Sequence, residues 1–136
     1  MPRSAPYGFT RGSLSLYFPL PTGTGAVEIA TDLVRGFQYS IEKVEFITQV
    51  AGTGASASRT FRVLKGASTV AATRTLVLAD TTPVGKSVAF TVTGGADSYF
   101  DDTDTLTVDF ASGGTAFTAG AGVINITYRQ RNQRQA

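Results

Sequence analysis

The chain has 136 residues, twelve of them basic and ten acidic, for a formal charge of +2, and charged residues make up only 16% of it. It contains neither histidine nor cysteine, which removes the usual general base, disulfide and thiol chemistry, and most zinc and nucleophilic-triad arrangements. The length suits a single core, and so small a net charge does not indicate a nucleic-acid binder. No cofactor, metal or specific nucleic acid is therefore expected.

The first segment, 1–13, reads as an N-terminal arm. Met1 to Gly8 has no apolar stretch of the kind that precedes a secretory cleavage site, and no later run approaches the length of a membrane span. A chain made in the cytoplasm, without a membrane partner, is the expectation. The arm is short of the apolar content needed to fold alone. Yet Tyr7 and Phe9 lie among the cations Arg3 and Arg11, residue types enriched at protein interfaces. It reads either as an arm that orders on a neighbour or as a frayed terminus.

From Leu14 onward, period-two alternation dominates. Leu14, Leu16 and Phe18 share one face of a strand while Ser15 and Tyr17 take the other. Ala26 to Ala30 is a weaker strand, and Glu28 to Arg35 makes a poor helical turn. Phe37 to Val50 is a long β-rich run in which Val44, Phe46 and Ile47 break strict alternation, which predicts a bulge near Phe46. Arg59 to Lys65 places Phe61 and Val63 inward, with Arg62 and Leu64 on the other face. Thr75 to Ala79, with Leu76 and Leu78, follows.

Lys86 to Val92 and Thr105 to Phe110 are the clearest strands. The first buries Val88, Phe90 and Val92. The second buries Leu106, Val108 and Phe110 while Thr105, Thr107 and Asp109 stay wet. Val123 to Tyr128 closes the series, with Ile124, Ile126 and Tyr128 on one face. About eight strands separated by Gly-rich and Asp-rich turns predict an all-β fold, an antiparallel β-sandwich or jelly roll over 14–128, with a closed barrel as the main rival. The basic tail 129–136, carrying Arg129, Arg131 and Arg134, follows. It reads as an edge-strand extension, a segment reaching into an acidic or nucleic-acid groove, or a solubilising tail.

Few residues carry chemistry. Asp97, Asp101, Asp102 and Asp104 could converge on calcium, but they lack the glycine and distal glutamate of an EF-hand loop and read better as turn caps. Thr22 to Gly25 has no Gly-Lys-Ser/Thr ending and is a turn, not a phosphate loop. The Asn125-Ile126-Thr127 sequon falls inside a strand. A carboxylate hydrolase remains conceivable from Glu42, Glu45 and the aspartates, without a motif behind it.

The runs Ile41 to Gly54, Arg59 to Gly66 and Asp102 to Val108 resemble the small β-sandwich structural proteins of tailed bacteriophages, capsid decoration (cement) proteins in particular. The likeness spans roughly Ile41 to Tyr128 and is one of strand-and-turn style. It implies a non-enzymatic virion protein on the capsid surface, a homo-oligomer (dimer or trimer), whose partner is the major capsid protein. No active-site residues carry over. Tyr7, Phe9, Arg11, Arg129, Arg131 and Arg134 are then the candidate protein-interface residues. The alternatives are a phage tail or fibre component, or a carbohydrate or host-surface recognition module using Tyr39, Tyr99, Phe100 and Phe117 as a platform, although the chain has no tryptophan.

Overall fold

A computed structural model describes residues 10–130 except 32 and 35. Ten strands form: β1 (Thr10–Pro19), β2 (Val27–Ala30), β3 (Tyr39–Thr53), β4 (Ser58–Lys65), β5 (Thr69–Val77), β6 (Ser87–Ala89), β7 (Thr91–Val92), β8 (Tyr99–Phe100), β9 (Leu106–Phe110) and β10 (Ala119–Gln130). They make two antiparallel sheets. One runs β1-β10-β3-β6 with β8 also on β3; the other runs β2-β9-β4-β5-β7. The inward faces of these sheets enclose the core, so the fold is a β-sandwich, as the alternation predicts.

The core is aromatic at its centre. Phe61 and Phe110 stack at 4.3 Å, and Phe18 and Phe90 meet Phe61 edge-on at 4.8 and 5.2 Å. Val44, Phe46, Val63, Leu106, Val108, Ile124 and Ile126 complete it, all without solvent exposure. Two glycines make room for large rings. A Cβ at Gly122 would collide with the Phe46 ring, and one at Gly12 would collide with Tyr128, so the bare backbone there is filled by the cross-strand aromatic.

Several expectations are corrected. Lys86 to Val92 is one periodic segment in sequence but two strands in space. β6 pairs with β3, β7 pairs with β5, and Phe90 turns the corner between the sheets. The bulges in β3 fall where its register against β10 skips Glu42 and Gln49, not at Phe46. Between them Val44, Phe46 and Thr48 alternate inward regularly, which leaves Ile47 half-exposed. Thr107 is buried, with its hydroxyl 2.7 Å from that of Thr31. Leu64 takes the face opposite Val63 as expected, but it is buried there rather than exposed: it pairs with Thr107 on β9, outside the core cluster, beside Thr31. Strand pairing extends beyond the expected 14–128, from Thr10↔Gln130 onward, so Arg11 and Arg129 belong to the sheet.

Candidate interaction surface

Both described ends of the chain leave the sandwich at one corner. β1 and β10 are paired over their whole common length from Thr10↔Gln130 to Pro19↔Ala121, so Thr10 and Gln130 lie side by side. Arg11 stands opposite Arg129 across this pair. Like charges placed directly opposite repel, and Glu42 resolves the conflict. The bulge that skips Glu42 in the β3–β10 register leaves its carboxylate between the two arginines. Arg11 Nε donates to Oε1 at 2.7 Å, and Arg129 Nε lies 3.1 Å from Oε2.

A polar ladder continues across the outer face of the same sheet. Ser15 Oγ donates to Asn125 Oδ1 at 3.1 Å, Asn125 Nδ2 lies 3.5 Å from Glu45 Oε2, and Ser87 Oγ donates to Glu45 Oε1 at 2.6 Å. The sequon asparagine is thus a sheet residue. Beside this ladder the register sets Tyr17 opposite Val123 and Val123 opposite Ile47. Tyr17 is 65% exposed.

Of the six candidate interface residues, Arg11 and Arg129 are brought together on Glu42. Tyr7, Phe9, Arg131 and Arg134 lie outside the described residues. The aromatic platform does not form: Tyr39, Phe100 and Phe117 are fully buried and Tyr99 is half-buried. Tyr39 stacks on Phe100 at 4.8 Å and donates its hydroxyl to Val34 O at 2.8 Å. Burial first, and the Asp104 charge second, push the Tyr39 phenol well above its ordinary pKa.

Several carboxylates are held by hydrogen bonds within the fold. Asp104 Oδ2 accepts from the Asp101 N–H at 2.8 Å and the Asp104 N–H donates to Asp101 O at 3.1 Å, a self-capped turn. Glu28 faces Asp109 across β2 and β9, the one cross-strand acid pair on that sheet's outer face among the described residues. Asp109, however, is held by both arms of Arg62, at 2.9 and 2.7 Å. That hydrogen bonding raises the Arg62 pKa. A surface hollow of ≈ 580 Å³ lined by Ser40, Ile41, Ser98 and Tyr99 offers no base to activate a serine.

Sequence reasoning missed two residues. Glu42 stood out only as a carboxylate, and its place between Arg11 and Arg129 carried no signal because it depends on a bulge. Arg59, the second residue of β4, is fully buried. Its guanidinium donates to the main-chain carbonyls of Gly23, Gly25 (2.7 Å) and Ala111 (2.9 Å) and lies 5.8 Å from the Phe110 ring centre. Burial lowers its pKa, yet it ties the β1–β2 turn to the end of β9. An arginine next to a Gly-rich turn is a weak signal in one dimension.

No family model matches the sequence, and no curated protein does. Solved structures do. A chain of the cyanophage Pam1 capsid asymmetric unit is similar over 95% of this chain and 90% of its own, with TM-score 0.56 and 14% identity. FLHE is similar over 91% and 98%, with TM-score 0.50 and 11% identity. A chain of the acid-stable capsid of Helicobacter pylori bacteriophage KHP30 aligns over 89% and 92%, with TM-score 0.45 and 10% identity. At these identities the likeness is one of fold: a sandwich of this size and layout occurs in a viral capsid. Among the described residues no helix is long and apolar enough to cross a membrane.

Proposed function

We propose that the protein is a non-enzymatic structural component of a virus particle, a decoration or cement protein that binds the assembled head of a tailed phage. The observation that carries this reading is the fold shared with a chain of the Pam1 capsid over nearly the full length of both. Two features of the chain support it. The described carboxylates and hydroxyls do not converge on a reactive centre, and the two ends leave from one corner rooted by Arg11, Glu42 and Arg129.

In this reading Tyr7 and Phe9 on one side and Arg131 and Arg134 on the other reach the same neighbouring major capsid subunit. Each contact is modest, on the order of 1,000 Å² or less. Copies joined to one another bind with an avidity that no single contact has. Arg11 and Arg129 anchor the root of both segments rather than contacting the partner first.

Co-sedimentation with preformed empty shells of the cognate major capsid protein tests this. The full chain is expected to pellet with shells at a fixed ratio. A chain deleted before Thr10 and after Gln130, which leaves every paired strand residue in place, is expected to stay in the supernatant. Full-strength binding by that truncation would remove the role given to the two segments, and failure of the full chain to bind would remove the decoration reading.

A further inference from the structure

Among the described residues β1 ends its sheet, and no strand pairs with its outer edge. The Leu20 N–H donates to Gly120 O at 2.9 Å, and the β1–β10 register runs without a shift from Thr10↔Gln130 to Pro19↔Ala121. Even-numbered residues of β1 therefore direct their main-chain groups at β10, and odd-numbered ones direct theirs outward. Among the described residues no main-chain hydrogen bond reaches the outward groups of Arg11, Ser13, Ser15 or Tyr17. Pro19 is odd-numbered too, so its missing N–H falls on the open edge and interrupts no bond to β10.

Exposed edges in monomeric proteins are normally blunted by charge, proline, a bulge or short length. From Arg11 to Phe18 this edge has one charge, no proline and no register shift. Behind it, Leu14 and Leu16 face the core yet are only half-buried, like Ile29 on β2. β6 and β7 are consecutive and lie at the far edges of the two sheets, so β1 and β2 flank the same side of the sandwich. An apolar seam runs along it.

We infer that a second copy of this chain covers this edge, with the two β1 strands antiparallel about a twofold axis through Leu14. This goes beyond the shell reading and holds or fails independently of it. The register follows from the strand itself. Pairing Arg11 with Tyr17 of the second copy and Ser13 with its Ser15 engages every open residue and leaves Pro19 outside. Each of these pairs exchanges both N–H···O bonds. Sliding by two residues in one direction sets Arg11 against Pro19, which has no donor. In the chosen register the arginines avoid each other, and Arg11, with its guanidinium held on Glu42, stands opposite the exposed Tyr17 of the second copy rather than opposite a like charge. The two copies of Leu14 meet as a non-hydrogen-bonded pair, the kind with the closest side chains. The sheet continues as β6-β3-β10-β1-β1-β10-β3-β6.

Sedimentation equilibrium of the full chain, with variants that separate register from mere composition, tests the pairing. Ser13→Lys with Ser15→Lys sets like charges opposite each other twice across the axis, whereas Ser13→Glu with Ser15→Lys sets opposite charges there. The wild type is expected to be a dimer. The double-lysine variant is expected to dissociate about tenfold or more readily, with unchanged far-ultraviolet circular dichroism, and the Glu/Lys variant to remain as dimeric as the wild type. Because the chain has no cysteine, Leu14→Cys supplies a second readout and should form a covalent dimer on mild oxidation, more readily than Ser15→Cys. A wild type that stays monomeric at millimolar concentration, or an oligomer indifferent to the lysine pair, would overturn the inference.

Discussion

On one long side of the sandwich, Ser87–Val92 pairs first with β3 and then with β5, so continuous main chain stitches the two sheets together. On the other side, β1 and β2 each end a sheet, and the half-buried Leu14, Leu16 and Ile29 lie between them. Both sides have the same kind of strand sequence, small polar residues alternating with apolar ones. The difference is covalent: a strand that changes sheets closes its own seam, and two separate edge strands leave theirs to a partner. A side with no continuous strand is held instead by point fastenings, Arg59 at one end and the Tyr39–Tyr128–Phe37 ring cluster at the other.

The comparison breaks hardest at Phe90. Phe90→Ala removes the ring at the corner where the closed side changes sheets and should cost about 3–5 kcal/mol, read by urea denaturation. Dimerisation through the opposite edge should survive wherever the variant is folded. Next comes Arg59. Arg59→Met keeps much of the apolar stem but leaves the carbonyls of Gly23, Gly25 and Ala111 without their buried donor. A loss of about 3 kcal/mol is expected, again from denaturation. Arg59→Lys should recover only part of it, because a single ammonium cannot span the same fork.

At the other fastening, Tyr39 makes the open side sensitive to alkali. Its phenol ionises less readily in the folded chain than in the unfolded one. The neutral form therefore contributes stability that is complete below pH about 10 and is lost as the pH rises beyond it. Unfolding free energy followed against pH, alongside tyrosinate absorbance, should show this fall. Tyr39→Phe should flatten it at a cost of about 1–3 kcal/mol at neutral pH, since Val34 O loses its donor. The smallest effect is expected at the corner itself. Glu42→Gln weakens a largely exposed ion pair with Arg11 and Arg129 and should change stability by less than about 1 kcal/mol.

Much of this architecture was legible in sequence because apolar residues at period two mark half-buried strands. Leu14 to Phe18, Leu106 to Phe110 and Val123 to Tyr128 all form strands with their alternate apolar residues turned inward as expected, and only the burial of Thr107 on the other face departs from the pattern. The first half of β5 was not legible. Its inward residues are Ala71 and Ala72, both fully buried, and alanine carries little strand signal. The sheet switch at Phe90 was invisible because alternation records which face a residue takes, not which strand lies beside it. Phe100 and Phe117 looked available as a platform because aromatic residues in turns read alike whether they point outward or inward, and Tyr39 did because a strand's first residue does not reveal its face. At the corner, Arg11 and Arg129 stood out as charges, but their meeting on Glu42 depends on β1–β10 register and a bulge in β3. Neither has a local signature.

The outer edge of β1 as an assembly surface is tested most directly by amide hydrogen exchange, measured residue by residue across a range of protein concentrations. Even-numbered amides of β1 bond to β10 in every copy, whereas the odd-numbered ones acquire partners only on pairing. The expected result is protection of the open-edge amides of Arg11, Ser13, Ser15 and Tyr17 that rises with concentration, while Leu14 and Leu16 stay protected throughout. Fast exchange at Ser13, Ser15 and Tyr17 at every concentration would contradict it.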